Sequence, residues 1–224
     1  MRVSPDSMTV VLPELPDPRT LNRTSRDVTR DRRPPESAGS GLAARCTIAP
    51  IMDPAEARAG LIRVLQHAYS GEKAAAYAYR GHWQSVADPE EAARIRQIEA
   101  EEWHHRDLVG GLLRELGAGP SRVREIRTAI IGRTLGALCH LSGWFVPMYA
   151  AGRLESRNIV EYEEAARCAL GCGAERFLDC LLTMAEVEWE HEQYFRARVL
   201  SHPWHRVFKV WPAPPPKASI RGAR

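Results

Sequence analysis

From Asp53 to about residue 200, apolar side chains return every three or four positions, and strand-like alternation is nearly absent. That spacing is one face of an α-helix. The pattern predicts four long helices. The first runs from 54 to 84 or 85, opened by Asp53 as N-cap with Pro54 in its first turn. The second starts at Asp88-Pro89-Glu90-Glu91 and stops at Gly117-Ala118-Gly119-Pro120. The third covers 148–171, up to Gly171-Cys172-Gly173, and the fourth covers 174–201, ending before His202-Pro203. The first two helices form a hairpin over 54–117, the last two another over 148–201. The connection over 121–147 is long enough to hold a helix of its own. The expected fold is all-α: a four-helix bundle made of two helical hairpins joined by a long crossover connection.

Each helix interrupts its apolar seam with an acid. In the second, steps of three and four from Ile95 and Ile98 lead to Glu102 and His105 before Val109, Leu112 and Leu116; Glu101 and His104 fall off that line. In the fourth, Leu178, Leu181 and Ala185 lead to Glu188, His191 and Phe195, which leaves Glu186, Glu190 and Glu192 as solvated charges. The first helix places Glu72 after Leu61, Leu65 and Ala68 and before Tyr79. The third places Glu155 after Met148 and Ala151 and before Ile159 and Tyr162. A single Glu-x-x-His arises easily by chance. Two of them on inner faces, with one inward Glu on each remaining helix, form a far more specific set.

Four ionised carboxylates in one core would each cost several kcal/mol unless paired. The chain offers no matching set of inward Lys or Arg, whereas two divalent cations would neutralise all four. Oxygen-rich ligation with one imidazole per metal suits iron, with manganese as the alternative; structural zinc wants more sulfur or nitrogen. The candidate metal ligands are Glu72, Glu102, His105, Glu155, Glu188 and His191. Tyr162, one inner step beyond Glu155, is the candidate catalytic residue, placed to line the site or to hydrogen-bond a ligand.

Charge refines the domain boundaries. Of 31 basic and 28 acidic residues in 224, residues 1–50 hold eight Arg and six acids, and 201–224 hold five Lys/Arg and no acid. Residues 51–200 are left with 18 basic and 22 acidic residues, a formal −4. The expected organisation is a disordered N-terminal extension over 1–50, the bundle over 51–201, and a basic, Pro-rich C-terminal tail over 202–224. The five cysteines (46, 139, 168, 172, 180) form no CxxC pair and read as reduced, mostly buried thiols. No N-terminal apolar run reads as a secretory signal. These features predict a cytoplasmic protein. Residues 129–151 are apolar enough to suggest a membrane span, but Arg133, His140, three glycines and Pro147 interrupt them. A crossover helix covering the bundle is expected there, with a peripheral contact on the inner face of a membrane as the second option. Arg122, Arg124 and Arg127 read as a solvated face, so nucleic acid is not expected as a partner.

The set Ser70-Gly71-Glu72, Glu102-x-x-His105, Glu155-x6-Tyr162 and Glu188-x-x-His191 resembles the ferritin-like di-iron carboxylate proteins, and is most similar to the demethoxyubiquinone hydroxylase family. The resemblance covers about residues 55–200. It implies a ferritin-like four-helix bundle and a non-haem di-iron centre that activates O₂ and hydroxylates an apolar aromatic substrate such as a quinone precursor. Glu72 and Glu155 would be terminal ligands, Glu102 and Glu188 would bridge, and His105 and His191 would each bind one iron. The resemblance leaves open the electron donor, a reductase or NADH, and is compatible with a homodimer. Where the family commonly has His before the third-helix Tyr, this chain has Glu161, and no aromatic follows Glu72. Two other readings use the same ligands: a rubrerythrin-like peroxidase or ferroxidase, although the chain lacks its usual CxxC pairs, and a tRNA-modifying di-iron hydroxylase.

Overall fold

The computed structural model describes residues 53–222, so the extension expected over 1–50 lies outside the described residues. Helix α1 spans Pro54–Ser85 and α2 spans Pro89–Glu115. Asp53 accepts the Glu56 N–H at 3.1 Å, and Asp88 accepts those of Glu90 and Glu91 at 2.9 and 2.8 Å. Each cap fills orphan donors of a first turn whose proline has none to offer. Helix α2 ends where Gly117 takes a positive φ of 65°, with Ala118 N–H donating to the Leu113 carbonyl. This is the six-to-one bond of a Schellman end.

Helix α3, Arg122–Cys139, fills the crossover; α4 is Phe145–Gly171 and α5 is Leu178–Ser201, preceded by a 3₁₀ turn at Glu175–Phe177. Two start points differ from expectation: α4 opens at Phe145 rather than 148, and α5 at Leu178 rather than 174. Pro147 was expected to break a helix, yet it lies in the first turn of α4, where its missing N–H removes no intrahelical bond. The stretch 129–151 is therefore two helices with a break between them, and no described helix is long and apolar enough to cross a membrane. A five-residue helix α6, Ala218–Gly222, ends the described chain, and no strand occurs among the described residues.

Helix α1 packs on α2, α3 and α4, and α4 packs on α5. One core cluster draws Leu61 and Leu65 from α1, Val109 and Leu113 from α2, Ile159 and Tyr162 from α4, and Leu181 and Met184 from α5. Helix α3 stays outside this core. Its buried face is Ala129, Gly132 and Gly136, small enough for the two backbones to touch. A Cβ at Gly132 would meet the Ala74 backbone, including Cα at 2.7 Å, and one at Gly136 would meet the Tyr77 carbonyl oxygen at 2.7 Å. Glu125 pins the same helix by accepting from Arg106 at 2.6 Å and Lys73 at 3.2 Å. The opposite side of α3 leaves Val123, Ile126, Ile130 and Leu138 exposed.

The basic segment after α5 does not stand away from the helices. Trp211 is buried and its ring fills the space at Gly152 of α4. Arg196 donates to the Trp211 and Pro212 carbonyls, Trp189 to the Pro215 carbonyl at 2.9 Å, and Arg221 binds Glu186 and Asp179. Two of its cations, Lys217 and Arg221, pair with acids of α5 that are far away in sequence. Among the four described cysteines only Cys168 is buried; Cys139, Cys172 and Cys180 are partly exposed, so the expectation of mostly buried thiols is corrected.

Two measurements check this architecture. Gly132→Val forces backbone apart and should cost about 2–3 kcal/mol, lowering Tm by roughly 5–10 °C. Gly111→Ala in α2 meets nothing closer than 3.8 Å and should instead raise stability by about 0.5–1 kcal/mol. The second concerns His82, which is buried against Tyr79 and Phe195 with Nε2 unpartnered. Burial lowers its pKa from the usual 6.5 to about 4. The unfolded chain then takes up the proton first, so stability present above pH 6.5 is lost as pH falls toward 4, by up to about 3 kcal/mol. The Tm of His82→Leu should lack that part of the acid decline.

Candidate metal centre

Glu72 of α1, Glu102 and His105 of α2, Glu155 of α4, and Glu188 and His191 of α5 are all buried; Glu102, Glu155, Glu188 and His191 have no exposed surface at all. The six sequence-predicted ligands meet at one place. They form two groups, Glu72–Glu102–His105–Glu188 and Glu102–Glu155–Glu188–His191, in each of which the donor atoms lie within 4.8 Å of one another. Glu102 and Glu188 belong to both. The reason is local: in each of α2 and α5, Glu and His three residues apart stand on one helix face, and α1 and α4 each offer one further carboxylate.

The hydrogen bonding is incomplete in a particular way. His105 Nδ1 lies 2.9 Å from Glu188 Oε1, and His191 Nδ1 lies 3.4 Å from Glu102 Oε1 without hydrogen-bond geometry. Both oxygens of Glu102, Oε2 of Glu72 and Nδ1 of His191 are buried without a hydrogen-bond partner. Orphans of this kind each cost about 1–3 kcal/mol and are rare singly. Four on residues of these two groups have the donor chemistry of a cation site: carboxylate oxygens and an imidazole nitrogen, which suit a hard or borderline divalent ion.

A ring of donors holds the outer ligands. Tyr162 donates to Glu72 Oε1 from α4 to α1, and Tyr79 donates to Glu155 Oε1 from α1 to α4. Asn158 Nδ2 donates to Glu155 Oε2 at 2.9 Å and Glu188 Oε2 at 3.3 Å. His191 Nε2 bonds Glu101 Oε2 at 2.7 Å, and Glu101 is held in turn by Arg94 and Gln97. A carboxylate on the far ring nitrogen fixes the tautomer and leaves Nδ1 as the ligating atom.

Three of these positions add to or correct the sequence reading. Glu101, expected off the seam and therefore uninvolved, orients His191. Tyr79 was legible as a seam residue but its role was not, although it stands seven residues beyond Glu72 as Tyr162 stands beyond Glu155. Glu192, expected to be solvated, is buried and accepts from Arg196 and from Trp211 Nε1 at 2.7 and 2.6 Å. The C-terminal segment covers it. Glu186 and Glu190 stay partly exposed and are paired with Arg221 and Lys217.

The electrostatics follow from burial. Burial first, then repulsion from Glu188 and the other carboxylates, holds Glu102 and Glu155 well above the ordinary carboxylate range, and burial raises Glu72. Burial opposes the charge of Glu188 too, but the imidazoles of His105 and His191 outweigh it and hold that carboxyl well down. Burial lowers the His191 pKa, while Glu101 and Glu188 more than offset this and bring it to about 8. Without a cation, burial and mutual repulsion favour the protonated forms of Glu72, Glu102 and Glu155.

No protein-family model, curated protein or solved structure matches this chain. The reading of the site rests on its geometry.

Glu102→Gln tests that geometry without reference to activity. A carboxyl raised by folding contributes stability below its unfolded pKa and loses it as pH rises through the folded value. The metal-free variant should therefore be more stable than the metal-free wild type at pH 8, by about 1–3 kcal/mol. Ferrous ion should raise the Tm of the wild type and leave that of the variant nearly unmoved.

Proposed function

We propose that this chain is a non-haem di-iron, O₂-activating hydroxylase built on a ferritin-like four-helix bundle, acting on an apolar aromatic substrate such as a quinone precursor. The observation that carries the reading is Glu102: a fully buried carboxylate, shared by both ligand groups, with neither oxygen partnered. A carboxylate so placed suits a bridge between two cations. Glu188, the other shared carboxylate, would serve both cations as well, with Glu72 and His105 holding one and Glu155 and His191 the other.

The iron pair, when bound, supplies the redox chemistry by which O₂ and a C–H bond become C–OH and water, with two electrons and two protons drawn from an external reductant. The chain's own residues do the rest. Tyr162 holds one oxygen of Glu72 and leaves the other unpartnered, while Tyr79 and Asn158 hold the two oxygens of Glu155. Glu101 keeps His191 in the tautomer that ligates. Burial on every side excludes bulk water, which protects a reactive centre from side reactions. Tyr162 is best described as a positioning residue, since its hydroxyl is engaged with Glu72. The α3 face bearing Val123, Ile126 and Ile130, with Arg122 and Arg127 beside it, supports a cytoplasmic protein that meets the inner face of a membrane peripherally.

The test is metal analysis of anaerobically purified protein with optical spectra before and after O₂. Two irons per chain and an O₂-dependent absorption change are expected, with both lost in Glu102→Ala and His191→Ala. A content of one metal or none would overturn the di-iron reading. Rapid H₂O₂ consumption without any organic co-substrate would replace hydroxylase by peroxidase.

A further inference from the structure

A surface cleft and a small cavity adjoin the buried cluster on one side of the bundle. Between α1, the start of α3 and α4 lies a shallow cleft of about 530 Å³, walled by Arg63, Arg124, Arg157 and Arg167 with Val64 and Val160 as its apolar floor. Inward of it is a smaller cavity of about 70 Å³ that touches Glu72, Asn158 and Tyr162. His67 and Glu161 line both spaces, and their side chains meet at 2.7 Å. The pair stands where the outer cleft gives way to the metal-facing cavity.

The charge of the cleft runs against that of the fold around it. Four arginines face two acids, Glu161 and Glu164, a formal +2, whereas residues 51–200 carry −4. The two acids are already engaged, Glu161 by His67 and Glu164 by Arg167. Arg63, Arg124 and Arg157 have no salt-bridge partner among the described residues, and Arg63 and Arg157 are exposed. Three guanidinium groups without an ion-pair partner, from three different helices, line one cleft together with two valines, and this combination suits a particular ligand. Guanidinium binds carboxylate and phosphate through paired N–H donors, and the apolar floor favours a hydrocarbon body over a bare ion.

We propose that this cleft binds an apolar small molecule through a terminal carboxylate, with the arginines holding the acid group and the body lying on Val64 and Val160 toward the His67–Glu161 pair. On the hydroxylase reading this ligand is the substrate, and its charged end stays outside while the other end faces Glu72 and Tyr162. The inner cavity is too small for a ring as it stands, so a ring enters only if the His67–Glu161 contact parts. Only the word substrate rests on that reading; the binding does not, because none of the cleft arginines is a metal ligand.

The test uses the full-length chain, metal-free and iron-loaded, with octanoate as probe. Calorimetric titration of the metal-free protein should show saturable octanoate binding, weakened at least tenfold in Arg63→Gln/Arg157→Gln and unchanged in Arg153→Gln, an exposed arginine of α4 outside the cleft. Octanol and inorganic phosphate should each bind at least tenfold more weakly than octanoate. Equal binding of octanol would show that the cleft takes neutral apolar molecules, and equal binding of phosphate that it takes the anion alone; either overturns the proposal. So does a loss in Arg153→Gln equal to that in the double variant. In the iron-loaded protein octanoate should shift the optical spectrum of the metal; binding without a shift would remove the cleft from the approach to the site. Absence of iron binding with octanoate binding intact would sink the hydroxylase reading and leave the cleft standing.

Discussion

Like charge confined in a dry core governs this molecule. Four carboxylates share a space from which water is excluded, with only two imidazoles to oppose them. Isolated ions cannot persist in such a place, so the core must hold either protons or cations. Every nearby hydrogen bond is consistent with that choice being left open. The tyrosines and Asn158 hold Glu72 and Glu155 from outside, while both oxygens of Glu102 and one of Glu72 have no hydrogen-bond partner. A helical scaffold suits the task, because its backbone groups are satisfied within each helix and ask nothing of the core.

The remaining architecture keeps that core shut while leaving one side approachable. Helix α3 could not both seal α1 and present large side chains inward, and the Gly132–Gly136 face resolves this by letting backbones touch. The segment after α5 closes the far side by a different device. It places the Trp211 ring at Gly152 and its indole N–H on Glu192, so an aromatic residue and a buried acid of α5 seal each other.

Helical periodicity made much of this legible. Leu61, Leu65, Ile98 and Leu181 announce seams, and stepping along those seams reaches all six clustered residues because each lies on the same stripe as its apolar neighbours. Periodicity names the face of a helix, however, and not what lies opposite it. Glu101 sits on the flank of α2 and is reached only because His191 crosses from α5. Glu192 faces away from the core and is buried because a distant tryptophan arrives there, which no local pattern encodes. Pro147 was misjudged for a related reason: a proline ends a helix or begins one, and its own residue type does not say which. The cationic cleft was hidden too, since Arg63, Arg124 and Arg157 are far apart in sequence and converge only through the packing of three helices.

The two hairpins carry matching chemistry. The first brings Glu72 with Tyr79 and Glu102 with His105; the second brings Glu155 with Tyr162 and Glu188 with His191, each pair at the same spacing as its counterpart. Each tyrosine crosses to serve the other hairpin's glutamate, so neither half is complete and the two are interchangeable in kind. A cluster of this type is therefore an object of two-fold character contained in one chain, as if a single hairpin had met its own copy. Its inventory needs only one hairpin's worth of invention. The crossover, the arginines of the cleft and the Trp211 strap are the parts that break the equivalence, and they are where the two ends of an otherwise symmetrical centre become distinguishable to anything that approaches it.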